Sequence, residues 1–194
     1  MTQTIGTHTL ESLRDHFRGY LFDQYVPFWD RFGVDHERGG FFCGLDHDGR
    51  RVSDAKNMWY QGRGLWTHSY LARHFEHDDS LQIARATQAF LLRHGRDVDG
   101  RWAAGLDADG AITAPPSARG YEGLFVAEGL TAYAAATGDE ESLDLAVDTL
   151  GRVAQLYEDP QRPVDEGYIP HCYPGMRVLG GHMVQILTLT QMLE

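Results

Sequence analysis

Two short segments rich in glycine and aspartate resemble each other. Residues 42–49 read FCGLDHDG, and residues 103–110, which lie 61 positions further on, read AAGLDADG. Each segment predicts a short strand followed by a tight Asp-x-Asp-Gly turn, because aspartate and glycine favour turn geometry. Each also stands between stretches of helical periodicity. A unit of about 60 residues that recurs in this way indicates a repeat architecture, in which neighbouring units bury each other's apolar faces.

Helical spacing of apolar residues predicts six helices, which makes the fold class all-α. We expect them at about 10–25, 54–75, 80–94, 120–137, 139–157 and 181–194, with the last still helical at the final residue. Pro27 is expected to end the first helix, and Gly95 and Gly138 to follow the third and fourth. Strands do not alternate with long helices as a parallel sheet requires. We therefore expect one domain over 1–194, built from helical hairpins with short β-hairpin loops.

Composition excludes several classes of protein. The 194 residues carry a formal net charge of −11, which argues against binding nucleic acid. No apolar run approaches the roughly 20 residues of a membrane span, and no secretory signal is visible. Cys43 and Cys172 fit neither a disulfide framework nor a metal cluster, and the Asp-x-Asp-Gly turns lack the later ligands of a calcium loop. We expect a cytoplasmic protein without metal or cofactor that binds neither nucleic acid nor membranes.

The densest group of functional side chains lies in residues 56–67, KNMWYQGRGLWT. Trp59, Arg63 and Trp66 share one helix face, since they are spaced by four and three residues. Aromatic planes stack on sugar rings, and arginine and glutamine donate hydrogen bonds to hydroxyls. Gly62 and Gly64 weaken a helix and are expected where a ligand or another helix comes close. The cluster favours a ligand site; the alternative is an ordinary core, with Arg63 paired to a carboxylate.

The repeat provides a check on this site. Arg63, Glu122 and His182 lie near the starts of the second, fourth and sixth expected helices, at spacings of 59 and 60 residues. If these helices form an inner ring, their starts meet at one mouth and bring the three side chains, together with Tyr121, into one site. The alternative for Glu122 is a carboxylate in the first turn of its helix, which the helix dipole favours. The alternative for His182 is a histidine whose hydrogen bonds are satisfied within the protein, on a half-apolar helix.

Several of these residues carry a family resemblance. The chain resembles the N-acylglucosamine 2-epimerase and cellobiose 2-epimerase family in FWD at 28–30, GGFF at 39–42, LDHDG at 45–49 and, most specifically, Lys56-x-x-Trp59-x-Gln61-Gly62-Arg63-x-x-Trp66-Thr67. Gly180-Gly181-His182 is similar to the Asn-Thr-His that opens the matching helix in cellobiose epimerases, with glycine in place of the asparagine at 180.

The resemblance implies an (α/α)6 barrel, with an inner and an outer ring of six helices each. The six expected helices make half of such a barrel, so the chain is expected to be its N-terminal half, truncated at the C-terminus. The implied reaction inverts C2 of an aldose, or interconverts aldose and ketose, through ring opening, loss of the C2 proton and an enediolate. The two histidines that transfer protons in the family come from the second half, so no catalytic residue is assigned here.

The resemblance also implies roles for the site residues. Arg63 is expected to contact the substrate and its developing oxyanion, Trp59 to form a pocket wall and His182 to contact the sugar. Tyr121 and Glu122 complete the expected substrate-binding set. The substrate is a small sugar, and the exposed inner faces of a half barrel predict association into a homodimer.

Two alternatives to an epimerase remain open from the sequence. The same toroid is used by glycoside hydrolases, which need two carboxylates about 5–9.5 Å apart. Glu122 with Asp54 or Asp107 would be the candidates. The other alternative is an inactive half barrel that binds carbohydrate weakly at most.

Overall fold

The computed structural model describes residues 4–164 and 171–193. The helices in this part are α1 (Leu10–Gly19), a π-helix (Tyr20–Tyr25), α2 (Val26–Phe32), α3 (Met58–Phe75), α4 (Asp78–His94), α5 (Tyr121–Thr137), α6 (Glu140–Glu158) and α7 (Leu179–Met192). The strands are β1 (Thr4–Ile5), β2 (His8–Thr9), β3 (Gly44–Leu45), β4 (Arg51–Ser53), β5 (Lys56–Asn57), β6 (Gly105–Leu106) and β7 (Ile112–Ala114). None of the described helices is long and apolar enough to cross a membrane.

The helices form two layers. In the inner layer, α5 lies between α3 and α7 and packs along both of them. In the outer layer, α4 packs on α3 and α6 packs on α5, so that each pair is a helical hairpin. Fully buried side chains fill the space between the layers, among them Leu65, Leu91 and Leu130. The structure confirms the predominantly helical fold and the placement of the second, fourth and sixth expected helices in one layer.

The two Asp-x-Asp-Gly segments form matching hairpins. Strand β3 pairs antiparallel with β4, and β6 with β7, each with an irregular register at a Gly-Leu pair. The first aspartate of each turn, Asp46 or Asp107, accepts hydrogen bonds from the backbone N–H groups two and four residues further on, at 2.8–3.1 Å. These carboxylates therefore shape the turns themselves, and the predicted repeat of the hairpin is confirmed.

The expected start of the second helix was wrong. Helix α3 begins at Met58 rather than near residue 54, because Lys56 and Asn57 form strand β5, which pairs with β6 of the following repeat. The side chain of Asn57 then accepts a hydrogen bond from the N–H of Trp59 at 3.0 Å and caps the helix. The first turn of α3 is thereby attached to the second β-hairpin.

The expected effect of Pro27 was also wrong. The chain stays helical to Phe32, with a π-helical segment at residues 20–25 and Pro27 in the first turn of α2. Pro27 lies inside this continuous helical run, directly after the π-helical segment, so the helix continues past a residue that has no N–H to donate. At the other end of the chain, α7 begins at Leu179 and ends at Met192, with Leu193 as its C-cap, and Glu194 lies outside the described residues.

Candidate functional site

An aromatic cluster lies at the N-terminal ends of α3 and α5. The Trp59 ring stacks on Phe125 with centroids 5.1 Å apart, and Tyr121 lies 5.9 Å from Trp59 and 6.2 Å from Phe125. The Arg63 guanidinium carbon sits 5.2 Å from the centroid of Phe125, within cation–π distance. Trp59 is 39% exposed, so that part of its ring is open to a ligand. The cluster combines a stacking surface with a positive hydrogen-bond donor.

Two glycines hold α3 in place on either side of Arg63. A Cβ at Gly62 would overlap the backbone of Phe125 in α5, and a Cβ at Gly64 would overlap the ring of Phe41. The close approach expected at these glycines is therefore made by a second helix and by a loop side chain. Arg63, between them, is exposed.

Gln61, expected from its motif to donate hydrogen bonds to a ligand, is directed into the protein instead. Its side chain is fully buried and forms a two-point clasp with the backbone of Phe41. The N–H of Phe41 donates to Oε1 at 2.7 Å, and Nε2 donates to the carbonyl of Phe41 at 2.8 Å. The clasp fixes the loop 39–43 beside the helix that carries Arg63, so the role of Gln61 is to hold the wall of the site.

A cavity of about 460 Å³ lies beside Arg63, between the π-helix, α2, the loop 41–43 and α3. Its walls are mostly aromatic and aliphatic, with Tyr25, Trp29 and Tyr60 among them. His68 lines the cavity, where burial, helped by His77, lowers the pKa of His68 to about 4 and leaves the imidazole neutral at physiological pH. The volume falls in the usual range of small-molecule pockets, and Arg63 is the charged residue of its lining.

Glu122 is placed apart from Arg63, which corrects the expected convergence. It is buried in a separate cavity of about 190 Å³ against α6 and accepts a hydrogen bond from the Ser117 hydroxyl at 2.8 Å. The physical reason is helical geometry: neighbouring residues project about 100° apart, so Glu122 faces outward where Tyr121 faces the cluster. Glu122 therefore fits the alternative of a first-turn carboxylate favoured by the helix dipole better than it fits a site shared with Arg63.

His182 also faces the outer layer. Its ring packs edge-to-face on Tyr157 of α6 with centroids 5.3 Å apart. Its Nε2 is buried and has no hydrogen-bond partner among the described residues. The structure thus brings Arg63, Trp59 and Tyr121 together, and places Glu122 and His182 against α6 instead.

One buried acid of the inner layer was missed by the sequence reasoning. Glu128 of α5 is only 6% exposed, and burial raises its pKa, although the charge of Arg63 and a hydrogen bond from Gln191 act in the opposite direction. Glu128 lies about one helical turn after Phe125 and interacts with Arg63 of the cluster and with Gln191 of α7. The available signal was a single acid inside the apolar run of residues 123–134.

The carboxylates that a glycosidase would need are engaged elsewhere. Asp54 is exposed and pairs with Arg51 at 2.9 Å, whereas Asp107 accepts backbone hydrogen bonds in its own turn. Glu122 lies in the cavity against α6. The described residues therefore give no support to a pair of catalytic carboxylates built from these three side chains.

Comparison with known proteins identifies relatives of this chain. Residues 39–185 match the family model of N-acylglucosamine 2-epimerase (GlcNAc 2-epimerase). N-acylglucosamine 2-epimerase from Homo sapiens is 40% identical over 91 residues, which are 45% of this chain and 21% of the human protein.

Solved structures share the fold at low sequence identity. Cellobiose 2-epimerase from Spirochaeta thermophila DSM 6192 superposes with a TM-score of 0.76 at 24% identity, over 95% of this chain and 49% of that one. A D-mannose isomerase gives 0.73 at 15% identity, over 98% and 48%. The chain thus spans about half the length of these solved structures. Since the family model covers most of the sequence, the chain belongs to the N-acylglucosamine 2-epimerase family.

Proposed function

We propose that this chain is part of a sugar 2-epimerase or aldose–ketose isomerase, and that it binds a reducing sugar at the cluster of Trp59, Tyr121, Phe125 and Arg63. The observation that carries the proposal is the guanidinium of Arg63 over the ring of Phe125, on which the partly exposed ring of Trp59 stacks, within the motif most typical of the family. Membership of the family supports the class of reaction. An N-acylated glucosamine, cellobiose and mannose are the sugars named for the relatives, and they define the substrate class to be tested.

The chemistry gives Arg63 a specific task. Ring opening exposes the C1 aldehyde, and removal of the C2 proton moves its electron pair toward C1, so that negative charge develops on the C1 oxygen. A guanidinium keeps its positive charge at any physiological pH and donates hydrogen bonds in a fixed plane. Held against that oxygen, Arg63 stabilises the enediolate more than the neutral aldehyde, which lowers the barrier. A proton returned to the other face of C2 gives the epimer. A proton returned to C1 gives the ketose, with the proton of the C2 hydroxyl moving to the C1 oxygen.

Two histidines of the described helices, His68 and His182, are not suited to transfer the C2 proton. His68 is too weak a base at neutral pH, since its pKa is about 4. His182 packs on Tyr157 in the outer layer. We therefore propose that groups outside the described part transfer the proton, as the family resemblance implies.

We further propose that the described helices are half of an (α/α)6 ring. The coverage of 48–49% of the solved structures, at TM-scores of 0.73–0.76, supports this arrangement. So does the exposed apolar surface of α7, where Met183, Ile186 and Leu187 are 57%, 66% and 47% exposed. Surfaces of this kind are usually covered by another part of the protein or by a partner. The other half would come from further chain or from a second copy in a homodimer.

Exchange of the C2 proton tests this function directly. N-acetylglucosamine, cellobiose and mannose are incubated with the protein in deuterated water, and loss of the C2 proton signal is followed by NMR. With the complete assembly, in which the other half of the ring supplies the proton-transferring groups, we expect exchange with at least one sugar. It should be abolished in Arg63→Ala and retained in Arg152→Ala, which removes an exposed arginine from α6.

The same samples distinguish the alternatives. Sugar binding without exchange would indicate the weakly binding half barrel. Release of a monosaccharide from cellobiose would indicate a glycoside hydrolase and overturn the proposal. Exchange that persists in Arg63→Ala would show that the guanidinium does not stabilise the enediolate.

A further inference from the structure

Lys56 is the single lysine of the chain, and its side chain is fully buried. Its ammonium donates to Oδ2 of Asp35 at 2.8 Å, to the carbonyl of Gly39 at 2.8 Å and to the carbonyl of Ala108 at 3.2 Å. It also lies 4.0 Å from the centroid of the Phe90 ring. All three ammonium hydrogens therefore have acceptors, in a place where an unpaired charge would be costly.

Asp35 shapes the loop that Lys56 holds. Its Oδ1 accepts the backbone N–H groups of Glu37 and Arg38, each at 3.1 Å, and its carbonyl accepts the N–H of Gly39 at 2.8 Å. Burial opposes ionisation of Asp35, but the hydrogen bonds from Lys56 and from the backbone outweigh it and keep the pKa of Asp35 below its ordinary value. Gly39 has φ +89°, and a Cβ there would overlap the carbonyl of Ala86 in α4. The loop is thus pressed against α4 and tied to Lys56.

The contacts of Lys56 connect it to the candidate site through two segments, the loop 39–43 and the turn of the second hairpin. Beyond Gly39, the loop leads to Phe41, which Gln61 clasps and whose ring covers Gly64. Ala108 belongs to the turn of the second hairpin, so Lys56 also ties the next repeat to the start of α3. Arg63 lies seven residues after Lys56 in the chain. The lysine therefore joins three segments around the first turns of the helix that carries the guanidinium.

We propose that Lys56 is a positioning residue of the sugar site. Its ammonium sets where the loop 39–43 and the turn 107–110 lie against α3, and through them the placement of Arg63. The consequence for sugar binding rests on the proposed function, whereas the consequence for the loop does not.

Removing both charges of the Lys56–Asp35 pair distinguishes an effect on the position of the loop 39–43 from an effect on the stability of the protein. Lys56→Met alone leaves the Asp35 carboxylate buried without its partner, which is strongly destabilising. The double variant Asp35→Asn with Lys56→Met is neutral, keeps the Oδ1 acceptor for Glu37 and Arg38, and is expected to fold. The matched control is Arg38→Met with Asp109→Asn, which removes the exposed ion pair between the same two loops, at 2.8 Å.

Two readouts are compared at a temperature where all three proteins are folded. We expect the Phe41 amide to exchange with deuterium about tenfold faster in the neutral double variant, because the loop opens locally. We expect the dissociation constant for N-acetylglucosamine to rise about tenfold or more, because Arg63 is displaced. The control pair is expected to match the wild type in both measurements, since exposed ion pairs contribute little.

The outcomes separate this inference from the proposed function. Wild-type exchange and affinity in the folded double variant would overturn the role of Lys56 and leave the function intact. Failure of the double variant to fold would also overturn it, because the pair would then be a requirement of folding. If the wild type binds none of the sugars, the proposed function fails, and amide exchange at Phe41 still decides whether Lys56 positions the loop.

Discussion

Replacing Gly62 with alanine is expected to destabilise the protein, although alanine favours helices. Gly62 lies in α3, at a point where that helix is in close contact with the backbone of α5. An added Cβ would overlap the carbonyl carbon and oxygen of Phe125 and the nitrogen of Val126. All three are backbone atoms of a buried helix, so that no side-chain rotation can relieve the overlap. The two inner helices must separate at the point where Trp59 stacks on Phe125.

The magnitude follows from two opposing terms. Overpacking a core costs about 1–3 kcal/mol, and a contact with backbone belongs at the upper end of that range. Alanine in place of glycine in a helix returns about 1 kcal/mol. We therefore expect Gly62→Ala to lower the free energy of unfolding by about 2 kcal/mol. Gly151 is the matched control, because it lies in α6 with nothing within 4 Å of an added Cβ. Gly151→Ala should raise the free energy of unfolding by about 1 kcal/mol.

Urea denaturation followed by circular dichroism measures both variants against the wild type. The aromatic circular dichroism of Gly62→Ala should also change, since the stacked Trp59–Phe125 pair is disturbed. Equal stability of the two alanine variants would refute the reasoning, because it would show that α3 and α5 are not in close contact at Gly62.

Three further predictions follow from single side chains. His68 has a pKa of about 4 in the folded protein and 6.5 as a free side chain, so its contribution to stability is complete above pH 6.5 and is lost as the pH falls toward 4. Over this range the free energy of unfolding should fall by about 3 kcal/mol. Denaturation curves of His68→Gln should lack this pH-dependent loss. Ile186→Glu should shift a self-associating chain toward monomer in sedimentation velocity, because Ile186 is 66% exposed on α7, and an unchanged distribution would place the contact elsewhere. Trp59→Ala should weaken sugar binding by calorimetry about tenfold through lost stacking, whereas Trp66→Ala should have a smaller effect.

The architecture was largely predictable because its signals are local. The matching Asp-x-Asp-Gly turns at Asp46 and Asp107 showed the repeat, and apolar periodicity showed which stretches are helical. The predicted ends of helices were wrong where contacts between residues far apart in the chain determine them. Asn57 became a helix cap because β5 pairs with β6, some 50 residues away, and no local pattern predicts that pairing. The usual helix-breaking effect of proline predicts an end at Pro27, whereas the helix continues through it, directly after the π-helical segment.

The candidate site was predictable only in part, for a geometric reason. Trp59 and Arg63 were found because they stand four residues apart on one helix face. The prediction for Glu122 was wrong because position along the chain fixes the level of a residue along its helix but not the direction of its side chain. The burial of Gln61 depends on the backbone of Phe41, 20 residues away, and it turned an expected ligand contact into a structural clasp.

The central claim, that a sugar binds at the aromatic cluster, is tested most directly by the indole signals of the four tryptophans. In a titration of 15N-labelled protein with N-acetylglucosamine, we expect the indole N–H of Trp59 to shift. The indole of Trp102 is the internal reference, because it donates to the Thr149 hydroxyl at 3.1 Å in the separate cavity that holds Glu122. That signal should stay in place. A shift of Trp102 without Trp59, or no shift of either at saturating sugar, would contradict the account.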